Sequence, residues 1–423
     1  MNSKKTKYLI IGAGISGLTF ANYIKDDYLI LEKEDEVGGY CRTIRKGDFI
    51  WDYAGHFFHF KTDEFKKIFI NNVDKNDIIH KDKCTKILYK NKLIDYPFQT
   101  NIHELDKDEF IDCLYDLFNK EEKEKYDNFL DMLYGKFGKS IVEKFLKPYN
   151  EKLYACDLHT LDKDAMGRFF PYADIKQIIN NMKANKDASY NNTFLYPKNG
   201  AGSFIDILYN NLNKKNVLLN TTITSINLDE KLVYTADGQV YHFEYLINTA
   251  PLNNFLELFN NPDFIKLKNE LSYNKVLVFN LGFNKKSKYT KEHWMYIPEK
   301  EANYYRIGFY DNILDADKLS MYIEIGYDKN AKIDVDEQLK LTLENLRKHG
   351  IIDKDTILEE YVSIIMDPAY VHINGETEKK IQNLKENFKS NNIYTIGRYG
   401  AWTYCSMEDS MIAAKELSEK VKK

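Results

Sequence analysis

The sequence predicts an α/β protein of more than one domain, and three observations carry that reading. A glycine-rich turn joins an apolar run to a helical stretch near the N-terminus. Residues 103–190 repeat apolar side chains at three- and four-residue intervals, and from about residue 215 short β-rich runs follow one another. The 423 residues exceed the roughly 250–300 that one hydrophobic core supports, so two or three domains are expected.

KYLIIGAGISGLTFANYI is the strongest local signal. Residues 7–11 suit a buried parallel strand, Gly12, Gly14 and Gly17 form GxGxxG around Ser16, and a second apolar run, YLILE, ends at Glu32. Gly12 permits the tight turn, Gly14 lets the backbone approach a pyrophosphate, and Gly17 allows close helix–strand packing. The helix N-terminus then offers N–H groups to the anion. Glu32 stands where a carboxylate accepts hydrogen bonds from a ribose. Strand, turn, helix, second strand and acid together predict a dinucleotide-binding domain.

The helical middle is carried by EFIDCLYDLF and FLDMLYGKFGKSIVEKFL, which set charges between apolar stripes. VLLNTTITSINL, KLVYTADGQVYHFEYLINTAP, KVLVFNLGF and SMYIEIGY read as strands, with Asp237-Gly238 as a hairpin turn. FLYPKNGAGSF puts glycines before another helical pattern and marks a return to the nucleotide domain.

Hydrophobic content of 43% and charged content of 29% suit a soluble globular protein, and a net charge of -4 recommends neither nucleic acid nor an acidic membrane. Cys41, Cys84, Cys113, Cys156 and Cys405 are scattered without CxxC or metal spacing, as expected of free thiols in a reducing compartment. No run supplies the roughly 18 apolar residues of a spanning helix, and the N-terminus carries no signal-peptide pattern. A cytoplasmic location without membrane insertion is expected. WDYAGHFFHF, residues 51–60, sets His56 and His59 among five aromatics. Their spacing and the lack of other ligands argue against zinc, leaving an acid–base pair or the wall of a flat aromatic ligand.

Further segments carry a resemblance. In EKEDEVGGYCRT, the Gly38–Gly39 pair followed by Arg42 resembles the second glycine motif of FAD proteins of the amine oxidase and glutathione reductase kind. NNIYTIGRYGAW resembles the late strand that closes their FAD site. YPFQTNI (96–102), LKPYNEKLYA (146–155), NNTFLYPKNGAG (191–202), HWMYIPEKEANYYR (293–306), GRYGAWTY (397–404) and AGHFFHF resemble stretches of UDP-galactopyranose mutases, with the fungal and protozoal branch nearest over the first three. The resemblance implies a discontinuous Rossmann-like FAD-binding domain (1–80, 195–255 and 390–423), a helical domain (103–190) and an antiparallel β-sheet substrate domain (81–102 and 256–389).

It also implies a reaction that interconverts the pyranose and furanose forms of a nucleotide sugar and serves surface polysaccharide synthesis. In that family the N5 atom of reduced FAD attacks the anomeric carbon, and the covalent adduct lets the ring open and reclose. An electron donor such as NAD(P)H or a reductase is then required, and a homodimer is an open expectation. Arg168 and Arg306 match the family's diphosphate arginines. Tyr96, Phe98 and Gln99 resemble its uridine pocket, and Asn191, Trp294, Tyr296, Tyr370 and Tyr404 its other substrate contacts. Gly55 and His56 would lie against the flavin ring, with the His56 carbonyl as acceptor for N5–H. Lys33, Ile223, Arg398, Met407, Asp409 and Ser410 complete the cofactor set.

Departures stand at Ile313, where the fungal pattern has tyrosine, at the shortened CSMED stretch, and after Tyr370, where a proline is missing. UDP-galactopyranose is the default substrate, with UDP-arabinopyranose or another nucleotide sugar open. The alternative is an FAD-dependent oxidase of the amine oxidase or protoporphyrinogen oxidase kind, and a third reading is a flavoprotein that binds a nucleotide sugar without turnover.

Overall fold

A computed structural model describes residues 4–183 and 193–422. Its first sheet is built on the strand Lys4–Ile11, which pairs in parallel with Tyr28–Leu31 on one side and Val240–Asn248 on the other. Val217–Leu218 extends the sheet beyond Tyr28–Leu31, and Ile393–Thr395 joins it by pairing with Val240–Asn248. An antiparallel hairpin of Leu232–Thr235 against Val240–Asn248 turns through Asp237-Gly238, where Gly238 takes φ +78°. Three distant stretches of chain therefore meet in one sheet. Leu9 and Ile10 are fully buried because helices cover both faces, as their unbroken apolar run requires.

The helix Ile15–Ile24 follows the glycine turn and packs against the C-terminal helix Met407–Val421; the Tyr8 hydroxyl donates to the Val421 carbonyl at 3.1 Å. Helices Lys107–Phe118, Phe129–Phe137 and Lys147–Tyr154 form the middle of the chain, bringing Phe98, Phe129, Phe137, Phe145 and Tyr154 into one buried cluster. Just before Pro148 the helix widens into a π turn over Val142–Leu146. A widened turn suits a residue that has no N–H to donate, and such turns often mark functional sites.

The second sheet runs in the order Leu358–Met366, Asn274–Phe283, Ser320–Asp328, Arg306–Phe309, Trp294–Tyr296, Thr85–Tyr89 and Lys92–Asp95. It is antiparallel except where Trp294–Tyr296 runs parallel to Thr85–Tyr89. One face carries Leu277, Phe279, Leu281, Met321 and Ile323, all fully buried. The opposite face, reached by strand alternation, carries Arg306, Glu324 and Tyr322. Among the described residues no helix is long and apolar enough to cross a membrane, and no three His, Cys, Asp or Glu side chains are grouped to hold a metal.

Candidate active site

The N-terminal turn is shaped for a pyrophosphate. Gly12 has φ +95°, a conformation that favours glycine, and a Cβ on Gly17 would lie 2.1 Å from the Gly12 carbonyl oxygen. A Cβ on Gly14 would instead meet nothing within 4 Å, so the space in front of the helix N-terminus is open. The buried Glu32 carboxylate accepts from the Ala13 N–H at 2.7 Å and the Glu34 N–H at 3.0 Å. Those two bonds leave acceptor capacity for ribose hydroxyls. The backbone of Asn220 and Thr221, just before Ile223, donates to the carbonyls of Glu34 and Glu32. The Gly38 N–H donates to the Ala13 carbonyl at 2.9 Å, which places the Gly38–Gly39 pair against the first turn. Gly397 packs so closely on the helix start that a Cβ there would lie 2.3 Å from Ser16 Oγ. These glycines, the open helix end and the acid fit a dinucleotide cofactor.

Two residues expected at that cofactor have other partners. Arg42 donates to the Val37 carbonyl at 3.1 Å and pairs with Glu36, which fixes the loop leading to Gly38. Lys33 is exposed and pairs with Glu34 in solvent.

A cleft of about 340 Å³ opens on the Arg306 face of the second sheet, and its walls come from distant parts of the chain. Gly55 and His59 come from the aromatic loop, Tyr96 from the turn after Lys92–Asp95, and Tyr149 from the helix after the π turn. Arg168 with Phe170 and Pro171, Tyr296 with Arg306, and Tyr370, Tyr404 and Met407 complete it. A Cβ on Gly55 would lie 2.2 Å from the Tyr322 hydroxyl, so this loop approaches the second sheet as only glycine allows. His56 beside it is held neutral, its pKa pushed down to about 4 by burial and by the nearby Arg398 charge. His59 is likewise pushed to about 4 by burial and by Lys83, and its Nδ1 lies 3.0 Å from the Thr193 carbonyl.

Arg306 is held by its strand partner. Glu324 stands opposite it in register, and Arg306 Nη2 lies 2.5 and 2.6 Å from the two carboxylate oxygens. The Tyr305 hydroxyl donates to the same carboxylate at 2.6 Å, while Arg306 Nη2 also reaches the Tyr370 hydroxyl at 3.3 Å. Arg306 Nε is buried without a protein acceptor. A ligand oxygen in the cleft would satisfy it.

Arg168 pairs with Asp409, which also caps the C-terminal helix through Ser406 and lies 3.6 Å from Lys61. Asp409, expected at the cofactor, thus ties Arg168 to the helix start. Ser410 is buried and donates to the Ser406 carbonyl at 3.2 Å. Arg398 is half-buried beside the cleft, its guanidinium carbon 5.2, 5.9 and 4.6 Å from the ring centres of Tyr370, Tyr399 and Tyr404.

Three expected substrate contacts sit deeper. Phe98 is fully buried and stacks on Phe145 at 5.1 Å, and Gln99 is fully buried with its amide N–H donating to the Pro171 carbonyl. The Gln99 carbonyl oxygen has no protein partner, so it retains an acceptor behind the Pro171 wall. Trp294 is buried against Phe57, its indole N–H donating to the Tyr322 hydroxyl at 2.7 Å. Ile313 is fully buried on the short helix Tyr310–Leu314 and does not line the cleft. Asn191 lies outside the described residues. Glu324, Tyr149 and Lys83 were not anticipated as site residues. For Glu324 a signal existed: it is the one acid inside the apolar run SMYIEIGY.

The model of the family described as flavin containing amine oxidoreductase matches residues 15–421. A crystal structure of reduced UDP-galactopyranose mutase is similar over 99% of this chain and 94% of that chain, with a TM-score of 0.93 at 22% identity. A fatty acid isomerase from P. acnes that produces CLA aligns over 99% of both chains, with a TM-score of 0.68 at 15% identity. Putrescine oxidase bound to putrescine aligns over 100% of both chains, with a TM-score of 0.68 at 10% identity.

Proposed function

The chain belongs to the flavin containing amine oxidoreductase family, with FAD as its cofactor, and from that premise we propose a mutase that interconverts the pyranose and furanose forms of a nucleotide sugar. UDP-galactopyranose and UDP-galactofuranose are the first pair to test. The observation that carries the reading is the convergence of Arg306, Arg168 and four tyrosines, Tyr96, Tyr296, Tyr370 and Tyr404, on one cleft beside the Gly55 loop. An amine substrate would find this a poor site, because its own charge is positive. A diphosphate fits it.

The chemistry asks the protein for position and charge. FAD held by the glycine turn and Glu32 would, when reduced, supply the nucleophile for the anomeric carbon. Arg306 faces the negative charge that develops as the diphosphate leaves and is called on again when it returns. Its orientation is set beforehand by Glu324, so little reorganisation accompanies the reaction. Arg168 offers a second guanidinium in the cleft lining, and planar guanidinium groups match phosphate oxygens in pairs. Tyrosine hydroxyls hold the sugar and phosphates between them, while the apolar ring faces exclude water that would hydrolyse a reactive sugar. His56, held neutral by burial and the Arg398 charge, brings no positive charge to the cleft, and we assign the loop's contribution to its backbone.

The test is a panel of nucleotide sugars incubated with dithionite-reduced enzyme, with products separated by chromatography. Furanose from at least one of them supports the reading. Oxygen consumption with an amine, together with indifference to UDP, would assign the chain to the oxidases of its family instead.

A further inference from the structure

Lys83 lies in the short link between the strands Ile78–Asp82 and Thr85–Tyr89, and its half-buried side chain lines the cleft. Its ammonium nitrogen is 5.7 Å from the ring centre of Tyr96 and 5.6 Å from that of Trp294. The link is fixed on both sides. The Cys84 N–H donates to His293 Nδ1 at 3.0 Å, the Cys84 carbonyl accepts from the His293 N–H at 2.8 Å, and Lys81 pairs with Asp315 at 2.7 Å.

The cations of the cleft divide by what they already hold. Arg306 has Glu324, Arg168 and Lys61 share Asp409, and Glu408 accepts from the backbone N–H groups of Lys61 and Thr62. Their charges are largely balanced before any ligand arrives. Lys83 has no carboxylate or carbonyl oxygen within bonding distance among the described residues; its neighbours there are aromatic faces and the like charge of Arg306. An ammonium partly removed from water with no acceptor is held at a cost, and an anion between it and Arg306 would relieve that cost. A nucleoside diphosphate supplies such an anion.

We propose that Lys83 is a substrate-binding residue that takes a phosphate oxygen of the nucleoside diphosphate beside Arg306. The inference rests on the nucleotide-sugar reading and deepens it: the cleft brings to the diphosphate a charge that no protein carboxylate offsets. It also gives the site a pH limb. Burial and the neighbouring Arg306 lower the Lys83 ammonium to about 8, so its charge fades as pH rises through that value. Of the other groups facing it, His59 stays neutral far below this range, Arg306 stays charged, and burial raises the Tyr96 phenol well above its ordinary value. Among them Lys83 alone titrates near pH 8.

The experiment is titration of UDP and, separately, uridine into the FAD-loaded protein between about pH 7 and 9.5, followed by calorimetry. Wild type, Lys83→Met and Lys83→Arg are compared, with flavin content and melting temperature confirming intact folds. Wild-type affinity for UDP is expected to fall above about pH 8. Lys83→Met should weaken UDP by about tenfold or more at pH 7, lose the pH limb and leave uridine unchanged. Lys83→Arg should bind UDP within a few-fold of wild type and move the limb to higher pH. Unchanged UDP binding by Lys83→Met, or equal loss for UDP and uridine, overturns the assignment. Failure of the wild type to bind UDP at any pH overturns the nucleotide-sugar reading itself, which is a separate outcome.

Discussion

Arg306 and Glu324 stand directly opposite one another on adjacent antiparallel strands, and Nη2 of the arginine contacts both carboxylate oxygens at 2.5 and 2.6 Å. The pair aims a guanidinium into the cleft without using all its donors, since Nε is left without a protein partner. Arg306→Ala is expected to lower kcat/KM by two to three orders of magnitude, because a preorganised charge on a leaving diphosphate contributes about 3–4 kcal/mol. Flavin content should stay at the wild-type level. Near-wild-type turnover would remove Arg306 from the site.

Arg168 and Asp409 form the second pair, and here the carboxylate competes with the substrate. Asp409→Asn retains a side-chain oxygen that can accept from the Ser406 N–H at the start of the C-terminal helix but withdraws the charge that holds Arg168. UDP binding is expected to tighten a few-fold at low salt, whereas Arg168→Ala should weaken it by about tenfold. Weaker UDP binding by Asp409→Asn, measured by calorimetry, would mean that the carboxylate orients Arg168 for the substrate instead of restraining it.

The glycine turn separates room for the cofactor from room for the fold. A Cβ at residue 14 meets no protein atom within 4 Å, whereas one at residue 17 would lie 2.1 Å from the Gly12 carbonyl oxygen. Gly14→Ala should therefore fold with little change in Tm yet purify with much less flavin, read as visible absorbance per protein. Gly17→Ala should lose both flavin and stability. Full flavin occupancy in Gly14→Ala would show that the pyrophosphate does not pass this residue.

Stability should fall in mild acid. Burial lowers His56, His59, His293, His349 and His372 from 6.5 to about 4, so unfolding lets five imidazoles take up protons between those values. Asp52 and Asp311 act in the opposite sense, because burial raises each from 3.8 to about 7 and the folded state holds their protons. Burial also raises Glu104 and Glu299, which add to the two aspartates; the five imidazoles still leave the unfolded state binding more protons, so stability drops as pH falls from about 6.5 to about 4. A melting temperature that holds steady or rises over that interval would contradict the burial of these histidines.

Much of the fold was legible because its signals are local. GxGxxG between two apolar runs names a strand–turn–helix within about twenty residues, and the Asp237-Gly238 hairpin is equally short. The site was legible only by resemblance, and its electrostatics were not legible. Arg168 and Asp409 are 241 positions apart, and Arg306 meets Glu324 only once the two strands are paired in register. Residue type also says little about depth: Phe98 and Gln99 stand in YPFQ beside Tyr96, yet they are fully buried while Tyr96 lines the cleft. The capping role of Asp409 could have been read, since Ser406-x-x-Asp409 is the pattern of a reciprocal helix cap.

The most direct test of the central claim is one nucleotide sugar, UDP-galactopyranose, given to the same enzyme preparation in its oxidised and its dithionite-reduced state. The predicted result is interconversion with the furanose form in the reduced sample, none in the oxidised one, and no net consumption of reductant. Equal inertness of both samples, with oxygen uptake on an amine, would contradict it.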